Sequence, residues 1–356
     1  MNPDSQPKNF TYQEIIRQQS GWEKALAQLE MNRPSILGAL APFRDRVWVF
    51  CGCGSSYYLA QTAGAAFEMI TGIRTRVVPA SEILMLPELV FNPRDSYLLI
   101  SLSRSGTTTE TVRATQKARN EFKLPVLAVS CNPASTLNRE SEIHLSFPFE
   151  PERSVVMTGS FTTMLLSVIY TAYLLSPRPA DGAALMPVPD ASRKVMQASE
   201  AMLRELVSGP YHDFVFLGQG ALLGIANEAA LKMQEMAISV SQGYHSLEYR
   251  HGPMSTVTGG TLLTILSSSA SAPYDAQLVR DMKKLGARVL LLTGASGNAR
   301  PHGVDEQIEI PGDFGDMLIP LLYMPLLQML AYYRAISQKI DPDNPKNLSQ
   351  VVELDI

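Results

Sequence analysis

Long apolar runs alternate along this chain with mixed segments of helical spacing, in an order that occurs twice. The runs "RVWVFCG" (46–52), "SYLLISLS" (96–103) and "PVLAVSC" (125–131) are apolar at most positions and bounded by turn residues. That is the pattern of strands buried on both faces. Between them, "YYLAQTAGAAFEMI" (57–70) and "TTTETVRATQKARNEF" (107–122) read as helices. The second half follows the same plan: strand "DFVFLGQG" (213–220), helix "LLGIANEAALKMQEMAI" (222–238), strand "TLLTILSSS" (261–269), helix "PYDAQLVRDMKKLG" (273–286) and strand "ARVLLLTG" (287–294). A "HLSFPF" (144–149) after the first unit is matched by "QIEIPG" (307–312) after the second.

Strands that alternate with helices in this way predict an α/β fold of two tandem doubly wound parallel-sheet domains. The expected division is a helical leader over 1–40, a first domain over 41–180, a linker and helix over 181–208, a second domain over 209–340 and a C-terminal tail over 341–356. Within it, 161–176 and 191–208 read as helical, and the polar, proline-bearing stretch 177–190 as a connection. "IPLLYMPLLQMLAYY" (319–333) is the most apolar segment, but its two prolines and its length fit a core helix better than a membrane span.

Composition narrows the function classes. The chain has 356 residues, 46% hydrophobic and 18% charged, with a formal net charge of -4. No basic run stands out, which argues against nucleic acid as a partner. The three cysteines, Cys51, Cys53 and Cys131, lack the second pair or nearby histidine of a zinc site and read as buried thiols in a reducing compartment. The N-terminal "MNPDSQPKNF" has no apolar signal core. A cytoplasmic protein with no membrane partner is the expectation.

The candidate chemistry begins just after the strand at 97–101. Ser103, Ser105, Thr107, Thr108 and Thr109 place five hydroxyls in seven positions before a helix, with Gly106 among them. One hydroxyl is explained by an ordinary helix cap; five favour a cradle for a phosphate, which the positive helix end also suits. Glycine lets the backbone approach the ligand. There is no GxxxxGK[ST] pattern, so a phosphate monoester fits better than a nucleotide with magnesium. "CGCGSSYYLA" supplies a second wall: Gly52 and Gly54, then Ser55 and Ser56 opening a helix. Both turns follow strands, and open parallel sheets bind ligands at the carboxyl ends of their strands.

The second half carries the ionisable groups. Glu228, Lys232 and Glu235 lie at i, i+4 and i+7 and so share one helix face. Alone, that spacing reads as a solvated face with an ion pair; beside a phosphate crevice it reads as an acid–base set. "EYRHGP" adds Glu248 and His251 in a turn that Gly252 and Pro253 end.

"GCGSSYYLA", "SLSRSGTTTET", "MTGSFTTM", "NEAALKMQE" and "EYRHGP" occur in the order they take in the double sugar-isomerase-domain (SIS) proteins. From about residue 40 onward the chain resembles the isomerase half of glucosamine-6-phosphate synthase. It is still more similar to the galactosamine-6-phosphate deaminase/isomerase (tagatose-6-phosphate ketose/aldose isomerase) branch, to which "MTGSFTTM" and the leader "FTYQEIIRQQSGW" point. The resemblance implies two flavodoxin-like SIS domains that bind a small sugar phosphate. It places the phosphate on Gly54, Ser55, Ser56, Ser103, Arg104, Ser105 and Thr108, with Thr158 nearby. It assigns the proton-shuttling base to Glu235, a supporting cation to Lys232 and ring opening to His251, which would reach across a homodimer interface. No metal and no cofactor is implied.

Two departures from the synthase qualify this. No glutaminase domain or N-terminal cysteine nucleophile precedes the first unit, so a glutamine-independent reaction is expected. Gln350 stands where the synthase tail has its Schiff-base lysine, and Lys346 lies four residues upstream. An amide cannot form that imine. The expected activity is C1–C2 proton transfer on a hexose or hexosamine 6-phosphate, with ammonia released from an amino sugar. The alternatives are a non-catalytic sugar-phosphate sensor and a deglycase of a 6-phospho sugar–amine conjugate.

Overall fold

The computed structural model describes residues 9–149, 152–177, 182–294, 301–352 and 354. In chain order its elements are α1 (Phe10–Met31), α2 (Arg33–Leu40), β1 (Val47–Gly52), α3 (Ser55–Thr71), β2 (Thr75–Pro79), α4 (Ala80–Met85), α5 (Pro87–Val90), β3 (Tyr97–Ser103), α6 (Thr109–Asn120), β4 (Val126–Ser130), α7 (Thr136–Arg139), β5 (Ile143–Ser146) and α8 (Gly159–Leu175). The second half continues with α9 (Val188–Leu206), β6 (Asp213–Gly218), α10 (Ala221–Ala237), β7 (Ser241–His245), β8 (Thr261–Leu266), α11 (Ala272–Lys284), β9 (Arg288–Thr293), β10 (Glu306–Glu309) and α12 (Gly315–Ser337).

The strands form two sheets of five, ordered β2-β1-β3-β4-β5 and β10-β9-β8-β6-β7. Every pairing is parallel. Each order is the flavodoxin-like 2-1-3-4-5, and helices flank both sheets, so the expected doubly wound α/β architecture is what the chain adopts. The repeat extends to register. Val47 opposes Tyr97 at the start of β1 and β3, as Asp213 opposes Thr261 at the start of β6 and β8.

Two strands escaped the hydrophobic pattern, β2 and β7. Both are edge strands that pair on one side only, and most of their residues are half-buried. A strand that buries one side has no need of a continuous apolar run. The segments 144–149 and 307–312 overlap β5 and β10. The connection expected at 177–190 lies partly outside the described residues, and α9 begins within it at Val188.

The main core lies between the two sheets, where α3, α8, α10 and α12 pack on one another. Among the described residues, α12 is long and apolar enough to cross a membrane, yet most of it is buried against α9 and α10. The leader is part of this core as well. Trp22 on α1 is fully buried and donates to Thr162 Oγ1 at 2.9 Å, while Tyr12, Ile15, Leu26 and Leu29 pack beside it. The N-terminus of α1 is closed from the far end of the chain: Asp343 accepts from the backbone N–H groups of Phe10 (2.9 Å) and Thr11 (2.8 Å). A carboxylate there satisfies orphan donors and complements the helix dipole.

Candidate active site

In a 2-1-3-4-5 sheet the order reverses between the first and third strands, and the crevice for ligands opens there. In the first unit that point lies between the carboxyl ends of β1 and β3. Gly54 ends the β1 turn at φ 53°, ψ −125°, a conformation open to glycine, and α3 starts at the next residue. Ser55 and Ser56 therefore occupy the first turn of α3, both buried. Among the described residues, Ser56 Oγ is within reach of the Met157 thioether alone, at 3.9 Å. Its hydroxyl is thus weakly partnered.

The β3 turn holds its own hydroxyls in place. The N–H of Gly106 donates to Ser103 Oγ at 3.1 Å, and the N–H of Thr107 donates to Ser105 Oγ at 3.2 Å. Ser103 and Thr108 are linked hydroxyl to hydroxyl at 3.3 Å. Gly106 sits at φ +63°, and a Cβ there would come 2.3 Å from Ser135 Oγ. Only glycine fits, because the start of α7 closes on it through Ser135 and Leu137. Thr108 occupies the N-cap position of α6 but makes no side-chain cap bond. The ordinary explanation of these hydroxyls, a helix cap, is therefore not realised. Among the described residues, Thr108 leaves the first N–H groups of α6 uncapped at their positive dipole end.

The acid–base set reaches this crevice from the other unit. α10 packs against α3, and Lys232 Nζ donates to Ser55 Oγ at 3.1 Å across 177 positions of sequence. Lys232 also contacts the carboxylate of Glu235 and lies 3.3 Å from Glu228 Oε1, close enough to pair by charge without an aligned hydrogen bond. Lys232 and Glu228 are fully buried, so the solvated-face reading of this helix fails. Burial opposes the charge on Lys232, but the carboxylates of Glu228 and Glu235 outweigh it and raise its pKa. Burial pushes Glu228 up to about 7, with Lys232 pulling the other way and Glu235 adding to the rise. Glu235, with 19% of its side chain exposed, is the member of the set that a ligand can touch.

Other expected residues take different places. Thr158 is fully buried, and both its N–H (2.9 Å) and its hydroxyl (3.0 Å) donate to Glu152 Oε1. Arg104 pairs with Glu152 at 3.0 Å and donates to the carbonyls of Val155, Val156 and Gln350. It thus ties the turn to neighbouring segments, with most of its guanidinium already engaged. Gln350 lies beside it, its amide donating to the carbonyls of Glu152 (3.1 Å) and Ser154 (3.2 Å). Further along the tail, the N–H of Leu354 donates to Thr109 Oγ1 at 3.0 Å. His251 is exposed in the turn after Glu248, and no hydrogen bond or ion pair among the described residues joins it to Glu235 or Lys232. Lys346 borders a separate cleft with Arg334 and Ile238.

Sequence reasoning missed Glu152. This buried carboxylate accepts from Thr158, from the N–H (2.8 Å) and hydroxyl (2.7 Å) of Ser160, and from Arg104. Burial would raise its pKa, but Arg104 and these bonds outweigh it and hold the carboxyl below the ordinary range. No spacing in the sequence relates it to its partners. Of the cysteines, Cys51 is buried and its thiol pushed up to about 12 by burial, and Cys53 contacts Thr111 Oγ1.

Comparison with known proteins places this fold in a family. The chain is 32% identical over 361 aligned positions to glutamine--fructose-6-phosphate aminotransferase [isomerizing] of Pyrobaculum aerophilum, covering 98% of this chain and 58% of that protein. It is 29% identical to the protein of that name from Methanothermobacter thermautotrophicus, covering 86% and 51%. The chain thus spans a little over half the length of these curated relatives. Among solved structures, it resembles glucosamine-6-phosphate deaminase of Thermotoga maritima at 28% identity and TM-score 0.81, covering 97% of this chain and 100% of that one. The fold of tagatose-6-phosphate ketose/aldose isomerase from Escherichia coli is also shared, at 24% identity and TM-score 0.85 over 98% and 97% of the two chains. The SIS domain model matches residues 45–174 and 212–337, one segment on each five-stranded sheet, and this chain belongs to the SIS domain family.

Proposed function

We propose that this chain transfers a proton between C1 and C2 of a hexosamine or hexose 6-phosphate, releasing ammonia when the substrate is an amino sugar. The contact of Lys232 with Ser55 carries the reading, because it fixes the Glu235 carboxylate beside a hydroxyl cradle suited to a phosphate monoester. The likeness to a glucosamine-6-phosphate deaminase over the whole of both chains supports the same chemistry.

In this scheme the 6-phosphate is held by Ser103, Ser105, Thr108 and the N-termini of α3 and α6, with Ser55 and Ser56 on the facing wall. Arg104 and Thr158 position the cradle through Glu152 rather than binding the phosphate directly. Glu235 removes the proton from C2 and returns it to C1 through an enolamine or enediol. Lys232, charged between two carboxylates, holds the Glu235 carboxylate in place for the transfer. His251 opens the ring from the second subunit of a dimer. With Gln350 where the synthase carries its imine-forming lysine, the C1 aldehyde freed by ring opening takes the electron pair from C2, and protonation at C1 turns the amino sugar's C2 nitrogen into a ketimine. Water then hydrolyses the ketimine, and no glutamine is consumed.

The test is a panel of glucosamine, galactosamine, glucose and galactose 6-phosphates in deuterated water, scoring deuterium at the sugar carbons and free ammonia. Deuterium incorporation with ammonia from the amino sugars is expected. Binding without exchange for every member would replace the enzyme by a sugar-phosphate sensor.

A further inference from the structure

The second sheet has its own reversal point, between β6 and β8, and the same turn chemistry recurs there. Gly220 adopts φ 59°, ψ −125°, within a few degrees of Gly54, and α10 begins at the next residue as α3 does. The β8 turn again carries hydroxyls, Ser267, Ser268, Ser269 and Ser271, before α11. Here the crevice is an open cavity of about 500 Å³, in the size range of small-molecule sites. Its far wall comes from the first unit, through Ala65, Glu68 and Met69 of α3.

Its chemistry differs from that of the cradle. The positions after the glycine are Ala221 and Leu222 instead of two serines. Met69, Leu222, Leu247 and Met317 give apolar walls, with the Tyr274 ring beside them. Three carboxylates line it, Glu68, Asp275 and Asp316, and among the described residues no Lys, Arg or His does. A phosphate would meet repulsion here despite the two helix ends.

Two buried polar groups in the wall have no partner among the described residues. Asp275 is 2% exposed; its Oδ2 accepts from Ser267 (2.7 Å) and Ser271 (2.6 Å), while Oδ1 has no hydrogen bond. Ser246, also 2% exposed, has an unpartnered Oγ. Leaving such groups unpaired is costly, and the cost is recovered by a ligand that donates to them. Burial raises the Asp275 carboxyl above the ordinary aspartate range, as expected where no cation faces it.

We infer that the β6/β8 crevice is a second ligand site, for a small organic amine whose ammonium group meets Asp275 and Ser246 while its apolar body lies against Met69, Leu222 and Tyr274. Charge complementarity selects this occupant: among the described residues, the cavity offers acceptors and apolar surface and no donor cation. The site is independent of the cradle and of any reaction there.

Tryptamine is a suitable probe, with tryptophol as its neutral counterpart and indole-3-propionate as its anionic one. Calorimetry on the full chain should give one tryptamine per chain with a dissociation constant below about 1 mM. Tryptophol should bind more weakly, and indole-3-propionate should not bind. Asp275→Asn should weaken tryptamine by about tenfold or more. Ala270→Trp, an exposed turn position on the cavity rim, should block it without disturbing the core. Excess inorganic phosphate, which the cradle would take, should leave tryptamine binding unchanged. Equal binding of all three indoles, absence of binding by tryptamine, displacement by phosphate, or indifference to both substitutions would each overturn the inference.

Discussion

The two reversal points share a backbone and oppose each other in chemistry. At β1/β3, glycine is followed by Ser55 and Ser56, hydroxyls crowd the next turn around Arg104, and a second cation, Lys232, arrives from the other unit. At β6/β8, glycine of nearly the same φ and ψ is followed by Ala221 and Leu222, and carboxylates take the place of the cation. Duplicated topology therefore sets where a ligand can sit, and a handful of side chains decide which ligand it is. α10 serves both: its N-terminus opens the second crevice, and its later turns carry Glu228, Lys232 and Glu235 to the first.

The largest expected effect breaks the phosphate side of the comparison. Changing Ser103 and Ser105 together to Ala removes two hydroxyls that would bind a charged group. It should weaken binding of a hexosamine 6-phosphate by about 3 kcal/mol or more, measured by calorimetry. Tryptamine affinity at the other crevice should be untouched; a parallel loss there would mean the two sites are one.

Next comes the proton-transfer group. Glu235→Gln keeps the shape and removes the base, so turnover should fall by about 10²-fold with phosphosugar affinity largely kept. Exchange at the wild-type rate would remove Glu235 from the mechanism.

The glycines sharpen the comparison at the level of backbone. Gly106→Ala combines a positive φ with a Cβ 2.3 Å from Ser135 Oγ, and should cost about 2–3 kcal/mol of stability in denaturant unfolding. Gly220→Ala also has a positive φ, but nothing lies within 4 Å of its Cβ, so its cost should be smaller, about 1–2 kcal/mol. Equal costs would show that contact with α7 does not constrain the cradle.

The last effect is a pH dependence. Glu228 has a pKa near 7 when folded against an ordinary value of 4.5, so the folded state holds its proton more tightly than the unfolded chain. Stability from this group is fully present below about pH 4.5 and is lost as pH rises through about 7. Glu228→Gln should flatten that part of the stability profile. An unchanged slope would show that Lys232 keeps Glu228 ionised throughout.

Sequence alone determined the repeat, because a strand buried on both faces must be apolar along its length and a helix beside it must show its own period. β1, β3, β4, β6, β8 and β9 are visible for that reason, whereas the edge strands β2 and β7 are not. The cradle hydroxyls were also legible, since five of them in seven positions exceed what a cap needs. Tertiary structure decided the rest. Whether Glu228, Lys232 and Glu235 form a solvated face or a buried charge set depends on what α10 packs against, and that is α3, more than 150 residues away. Glu152 takes Arg104 from a distant turn, Asp343 takes the start of α1, and Ser246 and Asp275 line one cavity from different elements. Local periodicity carries no record of such meetings, because burial and long-range hydrogen bonding are properties of the assembled layers.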